Sequence, residues 1–506
     1  MKPEVRRPVG YTLLCCVGVK KVVLGAWRLS DEQDPGVRDR SVFLFLTVGF
    51  ALFYTVQVPL STSSADVVAF VLRSNAASPI LRHAYLDART LQGAEPLPNY
   101  HLAHTCALWL TYKCAPGWLR HTAAPAGFFS AFCGGLVVGL TYLIWVRLSL
   151  CRREAIAAAC VAGLIPSLWY HSLIGEVYVP QLACVMLVVV FFLYSRPLLA
   201  GIAFLLATLV SPLAALCFPL VLLRGWDKKA LRDAIVAGAV ALAGYVGTHW
   251  AVGNNPLGFL RGLAQEAVAK SVPYKLLSLT GIVALNLHVM LFLLLKGFRA
   301  WSGQNKASFL VLLVVVVLHL LLPLVSADFL VDKGCFLLPV FWAVSMPIGL
   351  ALVCPGRKWW QTLGVLVVTV TITEAAWFLP SQHFAKATEE VGLLLRARFG
   401  QHIKVMGDWG TALPIVATVN GWDYERVATH YYDVPTPGAA DLLATGQDSL
   451  LVAVGRKPAL RRIAGKVPLP GFRVQDHVPH VPSEAGTLEK LFAGENFDIY
   501  LWTAPH

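Results

Sequence analysis

Charge is scarce in this sequence of 506 residues, because only 14% of them are Asp, Glu, Lys or Arg. Soluble domains carry about 25% charged and about 45–50% apolar residues, whereas this chain is 57% hydrophobic. A single soluble core is therefore excluded. The long runs that lack charge are typical of helices that cross a bilayer, each of which needs about 20 mostly apolar residues.

Cysteine is absent after residue 354, and the spacing of the eleven cysteines is not typical of a metal site. Most of them lie in or beside apolar runs, which favours buried single thiols. Cys106 and Cys114 are candidates for a loop disulfide, but their spacing does not require one. The sequence also lacks a small-residue cleavage site near its start, so no signal peptide is predicted. An internal repeat and a long disordered tract are absent from the sequence as well.

Eleven apolar segments are predicted to span the membrane, and the first is Val42–Leu60. Before it, residues 1–41 are basic. Their apolar stretch Tyr11–Trp27 contains Lys20 and Lys21, which predicts an interfacial helix. The two segments around Ser211-Pro212 are short, which predicts broken or half-inserted helices. The other segments are 125–146, 154–170, 178–195, 198–209, 211–223, 232–252, 276–295, 307–325, 336–354 and 359–378.

Lysine and arginine are distributed unevenly among the connections. The net charge is +13, yet residues 380–506 carry 12 Lys/Arg against 13 Asp/Glu. With a cytoplasmic N-terminus, the later inner connections hold 13 cations in short loops, which is the bias expected of a correct topology. This orientation places Glu176 and the C-terminal region outside. It also explains the positive charge without nucleic acid as a partner.

Residues 380–506 differ in character from the rest of the chain. A periodic helix is predicted over Ala385–Phe399, and strands are predicted at 403–406, 450–454 and 497–502, with Gly/Pro turns between them. The fold class is thus a polytopic α-helical membrane protein with about 11 spans and a small C-terminal α/β extramembrane domain. Its parts are a cytoplasmic segment 1–41, a transmembrane domain 42–379 with a long external loop 61–124, and an external domain 380–506. The turn 407–410 is either a nucleotide-binding turn or a plain strand–helix corner.

Glu176 is the acid in a short hairpin between two apolar segments. Trp169, Tyr170 and His171 end the first segment, and Val177 begins the second. An acid held at the mouth of a helix bundle is typical of a functional site, and the two aromatic residues suit the membrane interface. Alternatively, Glu176 starts the next helix, where the positive end of the helix dipole favours a carboxylate.

Asp66 lies six residues after the first predicted span, in the long loop 61–124. Loops of this length are usually functional or disordered, and the composition of this one is not that of a disordered segment. Ser64 or Asp66 would also make a good N-cap for the apolar run that follows. The residues alone leave both roles open.

Four segments together resemble a known family. Trp169 followed by Glu176-Val177-Tyr178 is similar to the transmembrane O-mannosyltransferases that act on plexin-type IPT domains, and to their bacterial relatives. These belong to the GT-C glycosyltransferases. Further similarity lies in Leu97–Leu102, Thr208–Leu222 and Phe336–Val340. Two departures are Ser211-Pro212, where the family often has histidine, and Lys333-Gly334-Cys335, where the usual Arg is absent.

The resemblance implies a multi-span, inverting glycosyltransferase of the bacterial inner membrane. The implied partners are membrane lipids, a polyprenyl-phosphate sugar donor and a protein, lipid or glycan acceptor. It also implies that Asp66 and Glu176 are catalytic, with Asp66 as the base that takes the proton of the acceptor hydroxyl. The residues expected to bind substrate are His171, Tyr178, Tyr100, His104, Lys275 and Lys333.

Other roles remain open for these residues. The histidines suit interfacial packing, and each cation suits contact with water or a lipid headgroup. Asp328 and Asp332 flank Lys333 and could pair with it or bind a metal, but two acids in a loop do not suffice to predict a metal site. We therefore expect no metal and no cofactor.

Two other classes of function remain open. A transporter or flippase of lipid-linked substrates should carry ionisable residues at the bilayer midplane and show paired halves. Here the predicted spans are nearly free of charge and the acids gather at one surface, which favours an enzyme at the interface. A catalytically inactive scaffold, whose external domain binds partners, is the third possibility.

The first prediction concerns topology. Cysteines introduced at positions 450 and 228 should differ in their accessibility to a membrane-impermeant maleimide in intact cells, with labelling only at the C-terminal position. Labelling of position 228 from outside would overturn the orientation and place Glu176 on the wrong side.

The second prediction is that Asp66→Asn reduces transfer about 10²–10⁴-fold, because an amide cannot accept the proton. Asn caps a helix about as well as Asp, so a residue that only caps would lose almost nothing. The measurement is transfer from a defined polyprenyl-phosphate sugar in nanodiscs, with donor binding measured in parallel. Near-normal transfer would remove Asp66 as the base.

Overall fold

The computed structural model is mostly helical and consists of two compact units, each discontinuous in sequence. Unit 1 contains Met1–Val58, Gly127–Thr248 and Phe259–Phe378, and unit 2 contains Pro59–Ala126, His249–Gly258 and Leu379–His506. The structure describes residues 35–60, 65–75, 100–148, 150–258, 272–302, 306–325, 334–353, 359–401, 403–407, 409–434, 439–455, 485–493 and 497–505. The interfacial helix predicted at Tyr11–Trp27 lies outside these residues.

The helices within the described ranges are numbered here in chain order. They are α1 (Pro35–Thr55), α2 (Ala65–Asn75), α3 (Leu102–Cys114), α4 (Ala124–Arg147), α5 (Arg152–Leu164), α6 (Pro166–His171), α7 (Tyr178–Leu193), α8 (Pro197–Val210), α9 (Lys228–Ala251), α10 (Val272–Leu287), α11 (Met290–Ser302), α12 (Lys306–Val325), α13 (Leu338–Val353), α14 (Trp359–Thr373), α15 (Leu379–Phe399), α16 (Trp409–Val419), α17 (Tyr424–His430) and α18 (Ala439–Ala444). A 3-10 helix, Pro212–Arg224, follows α8.

Within the described residues, four helical segments are long and apolar enough to cross a membrane. They are Ala124–Arg147, Lys228–Ala251, Cys335–Val353 and Gly364–Phe399. A bent helix pair would make a fifth span if it is counted as one. Shorter apolar helices, such as α7 and α8, account for other predicted segments, so the total of about 11 spans stays a prediction.

Proline divides several of the predicted segments. Pro166, Pro197 and Pro212 each stand at the start of a helix, where the missing N–H costs no intrahelical hydrogen bond. The predicted span 154–170 is therefore two helices, α5 and α6, which are separated at Ile165. The chain also breaks at the extended residue Ser211, as its short flanking segments indicated.

The predicted span 276–295 is a sharply bent pair of helix segments. Helix segments Lys275–Leu287 and Met290–Phe298 meet at an angle of 86°. The helical hydrogen-bond ladder reaches the N–H of His288, which donates to Ala284 O, and a tight turn follows in which Leu291 N–H donates to His288 O. Proline and glycine are both absent between Asn286 and Met290, so the sequence carries no signal for this bend.

Small and aromatic residues set how closely the helices of unit 1 pack. Helix α13 lies against α5, and a Cβ on Gly349 would stand 2.5 Å from the backbone nitrogen of Ala158. Trp145 and Trp342 stack with ring centroids 4.9 Å apart, and the Trp342 indole donates to Thr141 Oγ1 at 3.0 Å. Close backbone approach at small residues is a common way for membrane helices to associate.

Unit 2 contains a five-stranded sheet. Its strands are β1 (Val405–Gly407), β2 (Tyr431–Asp433), β3 (Ser449–Gly455), β4 (Thr487–Ala493) and β5 (Phe497–Thr503). The strand order is β2-β1-β3-β5-β4. Strand β1 is parallel to β2 and β3, whereas β5 is antiparallel to β3 and β4. The strands predicted at 403–406, 450–454 and 497–502 are present with slightly different ends.

One face of this sheet is covered by helices from distant parts of the sequence. Val68 and Leu72 of α2, which belongs to the long loop 61–124, share a buried core with Val391 of α15 and Ile415 of α16. The apolar run after Asp66 is therefore part of the hydrophobic core of unit 2.

The turn after β1 is explained by packing. A Cβ on Gly407 would lie 2.3 Å from the carbonyl oxygen of Ala453 on the neighbouring strand β3. The glycine thus permits close contact between the two strands, and helix α16 begins two residues later, at Trp409. This environment favours the plain strand–helix corner over the nucleotide-binding turn.

The structure also corrects the choice of a labelling site. Leu450 is fully buried in the sheet, so a cysteine there would not react whatever the topology. Ala444 is exposed and replaces Leu450 as the labelling site in the C-terminal region. Lys228, the other position of the comparison, is also exposed. Cys114 and Cys151 are exposed natural thiols and should be changed to serine first.

Gly349→Ala should destabilise unit 1 by about 1–3 kcal/mol, because the added methyl group meets the backbone of α5. The matched control is Gly364→Ala on α14, where a Cβ meets nothing within 4 Å. Thermal unfolding in detergent should show a lower Tm for the first variant only. Equal Tm values for the two variants would refute this close contact.

Candidate functional site

The loop between α6 and α7 positions the residues of the Trp–Glu-Val-Tyr motif. His171 ends α6, and Glu176 lies two residues before α7, whose N-cap is Val177. The Glu176 N–H donates to Ile174 O at 2.7 Å, so the carboxyl group is held in a tight turn. Glu176 therefore lies outside the first turn of α7. This position weakens the alternative hypothesis that Glu176 acts only through its favourable interaction with the helix dipole.

His171 and Glu176 lie side by side and are nearly buried. The distance from His171 Nδ1 to Glu176 Oε2 is 3.0 Å, and the two side chains are only 2% and 12% exposed. Neither Nδ1 nor Nε2 of His171 makes a hydrogen bond to the described residues. Since burying a single charge is costly, the proximity of the histidine helps the acid to remain in this loop.

Two aromatic rings lie near His171. The ring centroid of Tyr170 is 5.1 Å from that of His171, and the ring centroid of Tyr178 is 6.0 Å from it. Tyr178 in turn contacts Phe336 edge to face at 5.2 Å. This apolar lining reduces the local dielectric constant, so a charge on His171 or Glu176 acts more strongly on a nearby ligand than it would in water.

Helix α6 is fixed by two hydrogen bonds from distant elements that the sequence did not reveal. The backbone N–H of Ser167 donates to Asn286 Oδ1 at 2.7 Å, and the indole of Trp169 donates to Gln57 Oε1 at 3.1 Å. Asn286 and Gln57 are isolated amides in or near apolar helices. That isolation is the signal that could have identified them, because buried amides need partners.

Lys275, a predicted phosphate-binding cation, lies in α10, which contacts α6 within unit 1. Its side chain is almost fully buried, at 2% exposure, so the alternative role of a lysine in contact with bulk water does not apply to Lys275. Lys333, the other predicted cation, lies outside the described residues, as do Asp328 and Asp332.

The remaining predicted site residues belong to unit 2. Asp66 lies in the first turn of α2, and its side chain is outside the described set. His104 is fully buried and packs edge to face on Phe70 of α2 at 4.8 Å. Tyr100 lies 5.7 Å from the ring of His249. The structure thus brings together His171, Glu176 and Tyr178, and the roles of Asp66, Tyr100 and His104 stay predictions.

Groups of three or more His, Cys, Asp or Glu residues that could hold a metal ion are absent from the described part of the chain. The expectation that the protein needs neither metal nor cofactor stays a prediction, because Asp328 and Asp332 are not among the described residues.

Comparison with known proteins identifies the fold. No family model and no curated protein matches the chain. The crystal structure of apo ArnT from Cupriavidus metallidurans matches with a TM-score of 0.55 and 10% identity, over 91% of this chain and 98% of that chain. The apo oligosaccharyltransferase of Archaeoglobus fulgidus matches with a TM-score of 0.49 and 12% identity, over 82% of this chain and 69% of that one.

The likeness to ArnT extends over nearly the whole of both chains. It confirms the predicted likeness in fold to the GT-C membrane enzymes. At 10% identity it speaks for the fold alone, and the finer resemblance to the O-mannosyltransferases stays a prediction.

Proposed function

We propose that this protein is an integral membrane glycosyltransferase of the GT-C type. It moves a sugar from a polyprenyl-phosphate donor to a hydroxyl acceptor on the non-cytoplasmic side of the membrane. The observation that carries the proposal is the fold shared with ArnT across 91% of the chain. The buried His171–Glu176 pair in the loop between α6 and α7 supports it.

The proposed reaction is a single displacement. The oxygen of the acceptor hydroxyl forms a bond to the anomeric carbon while Asp66 takes the hydroxyl proton. The bond from the anomeric carbon to the phosphate oxygen breaks, and the lipid phosphate leaves with the electron pair. Attack from the opposite face inverts the anomeric configuration.

Negative charge grows on the departing phosphate, so the site needs a donor there. We assign this role to His171, because its Nε2 has no hydrogen-bond partner among the described residues and Glu176 lies 3.0 Å from its Nδ1. In this proposal Glu176 orients His171, and Tyr178 lines the same site. Lys275 is a further cation in unit 1.

The experiment that tests the proposal is transfer by Glu176→Gln in nanodiscs. We expect a loss of about 10²-fold or more in kcat, since the amide of glutamine replaces the carboxylate that lies 3.0 Å from His171. The Tm should stay close to that of the wild type, because glutamine has nearly the same shape. The matched control is Glu154→Gln, an acid at the start of α5 that bonds the Cys151 N–H. It should transfer normally.

The alternative functions give different results. A flippase would move a fluorescent lipid-phosphate sugar across the bilayer without transferring the sugar, and an inactive scaffold would do neither. If Glu176→Gln keeps full transfer, the loop is structural. A helix-start charge would then account for about 0.3–1 kcal/mol of stability and nothing more.

A further inference from the structure

Unit 2 contains a cavity of about 550 Å³ between α15, α16 and the corner that joins α16 to α17. Its volume falls within the usual range of small-ligand sites, about 300–1,000 Å³. Many of its lining residues have polar side chains, among them Thr388, Glu389, Arg396, Asn420, Asp423 and Arg426. Trp422, Pro414 and Leu393 supply apolar surface.

Asn420 lines this cavity and has a hydrogen-bond acceptor without a partner among the described residues. The residue is 1% exposed, and its Nδ2 donates to the carbonyl of Val416 at 3.0 Å. Its Oδ1 is buried and has no hydrogen-bond partner in the described part of the chain. A buried acceptor without a partner costs about 1–3 kcal/mol, so the site is suited to a ligand that donates an O–H or N–H group.

The corner beside Asn420 holds Trp422 in a strained conformation. Helix α16 ends in a Schellman motif, in which Gly421 N–H donates to Thr418 O and Trp422 N–H donates to Ala417 O. Gly421 has φ of 65°, and Trp422 follows with φ of 61°. A bulky residue seldom adopts the left-handed region, and such strain is concentrated at binding and active sites. Its ring packs partly on the core and lines the cavity.

Two arginines and two acids line the cavity, namely Arg396, Arg426, Glu389 and Asp423. The other polar lining residues are Asn, Gln, Thr and one His. Arg426 is also held in place, because it donates to Gln401 Oε1 and its Nε lies 3.8 Å from Asp423. A phosphate or another strongly charged group would meet no net opposite charge here.

We propose that this cavity binds a neutral glycan and is the acceptor subsite. A sugar ring combines many hydroxyl groups with an apolar C–H face, which matches a polar lining beside the ring of Trp422. One sugar hydroxyl donates to Asn420 Oδ1, and the arginine and acid side chains bind others. The assignment as acceptor rests on the proposed transferase function, whereas glycan binding does not.

A polypeptide fits these features less well. Peptides are usually held by backbone hydrogen bonds at a sheet edge or by apolar pockets for alternate side chains. This cavity lies beside helices α15 and α16, and none of its lining residues belongs to the described strands. The density of donors and acceptors therefore favours a carbohydrate.

Binding can be measured on the full-length protein in nanodiscs, prepared with detergents that carry no sugar headgroup. The probes are mannobiose, chitobiose and maltose, and a neutral Ser/Thr-containing hexapeptide, followed by saturation-transfer NMR and calorimetry. The variants are Trp422→Gly, which removes the ring and suits the left-handed backbone, and Arg396→Ala. The matched control is Arg398→Ala, which alters an arginine on the same helix outside the cavity.

We expect at least one disaccharide to bind, with its Kd raised at least tenfold in Trp422→Gly and Arg396→Ala and unchanged in Arg398→Ala. The absence of disaccharide binding at millimolar concentration, binding of the hexapeptide alone, or equal affinity in all variants would each overturn the proposal.

The two proposals fail in distinguishable ways. Glycan binding that depends on Trp422, in a protein with no transferase activity, would refute the transferase function but leave the glycan site. Transfer to a glycan with an unchanged acceptor KM in Trp422→Gly would keep the transferase function and refute the acceptor subsite.

Discussion

In unit 1, burying a polar group away from water is costly unless the group has a partner inside the protein, and this cost bears on the surroundings of Glu176. The acid lies beside His171, 3.0 Å away, in a loop between apolar helices. His171 in turn ends the short helix α6, which Asn286 and Gln57 hold through Ser167 and Trp169. Each bond satisfies a group whose isolation would cost about 1–3 kcal/mol, and together they fix one orientation of the pair.

The apolar character of the helices was predictable, because runs with few charges can be recognised from composition and length alone. The helix starts at Pro166 and Pro212 were also predictable, because proline is common at the first position of a helix. The 86° bend after Leu287 was not predictable, because its residues include neither proline nor glycine. Local helix propensity does not predict the end of a helix where tertiary contacts determine whether the helix continues.

The candidate site was predictable only in part. Glu176, His171 and Tyr178 are near one another in sequence, so a motif was enough to group them. Asn286 is 119 residues from Ser167, and Gln57 is 112 residues from Trp169. From one sequence we can infer that each buried amide needs a hydrogen-bond partner, but we cannot infer which residue that partner is.

Unit 2 illustrates the same limit on a larger scale. Strand β3 was predictable from its apolar run, whereas β4 has a largely exposed alternation that resembles a polar loop. Helix α2 belongs to the same core although it precedes the first strand by some 330 residues.

This packing bears on the proposed role of Asp66. Asp66 lies in the first turn of α2, and Val68 and Leu72 of the same helix are buried in the core of unit 2. A general base must come within hydrogen-bond distance of the proton that it takes. A backbone held by core packing meets this requirement at a lower entropic cost than an unpacked loop, which favours the proposal that Asp66 is the base.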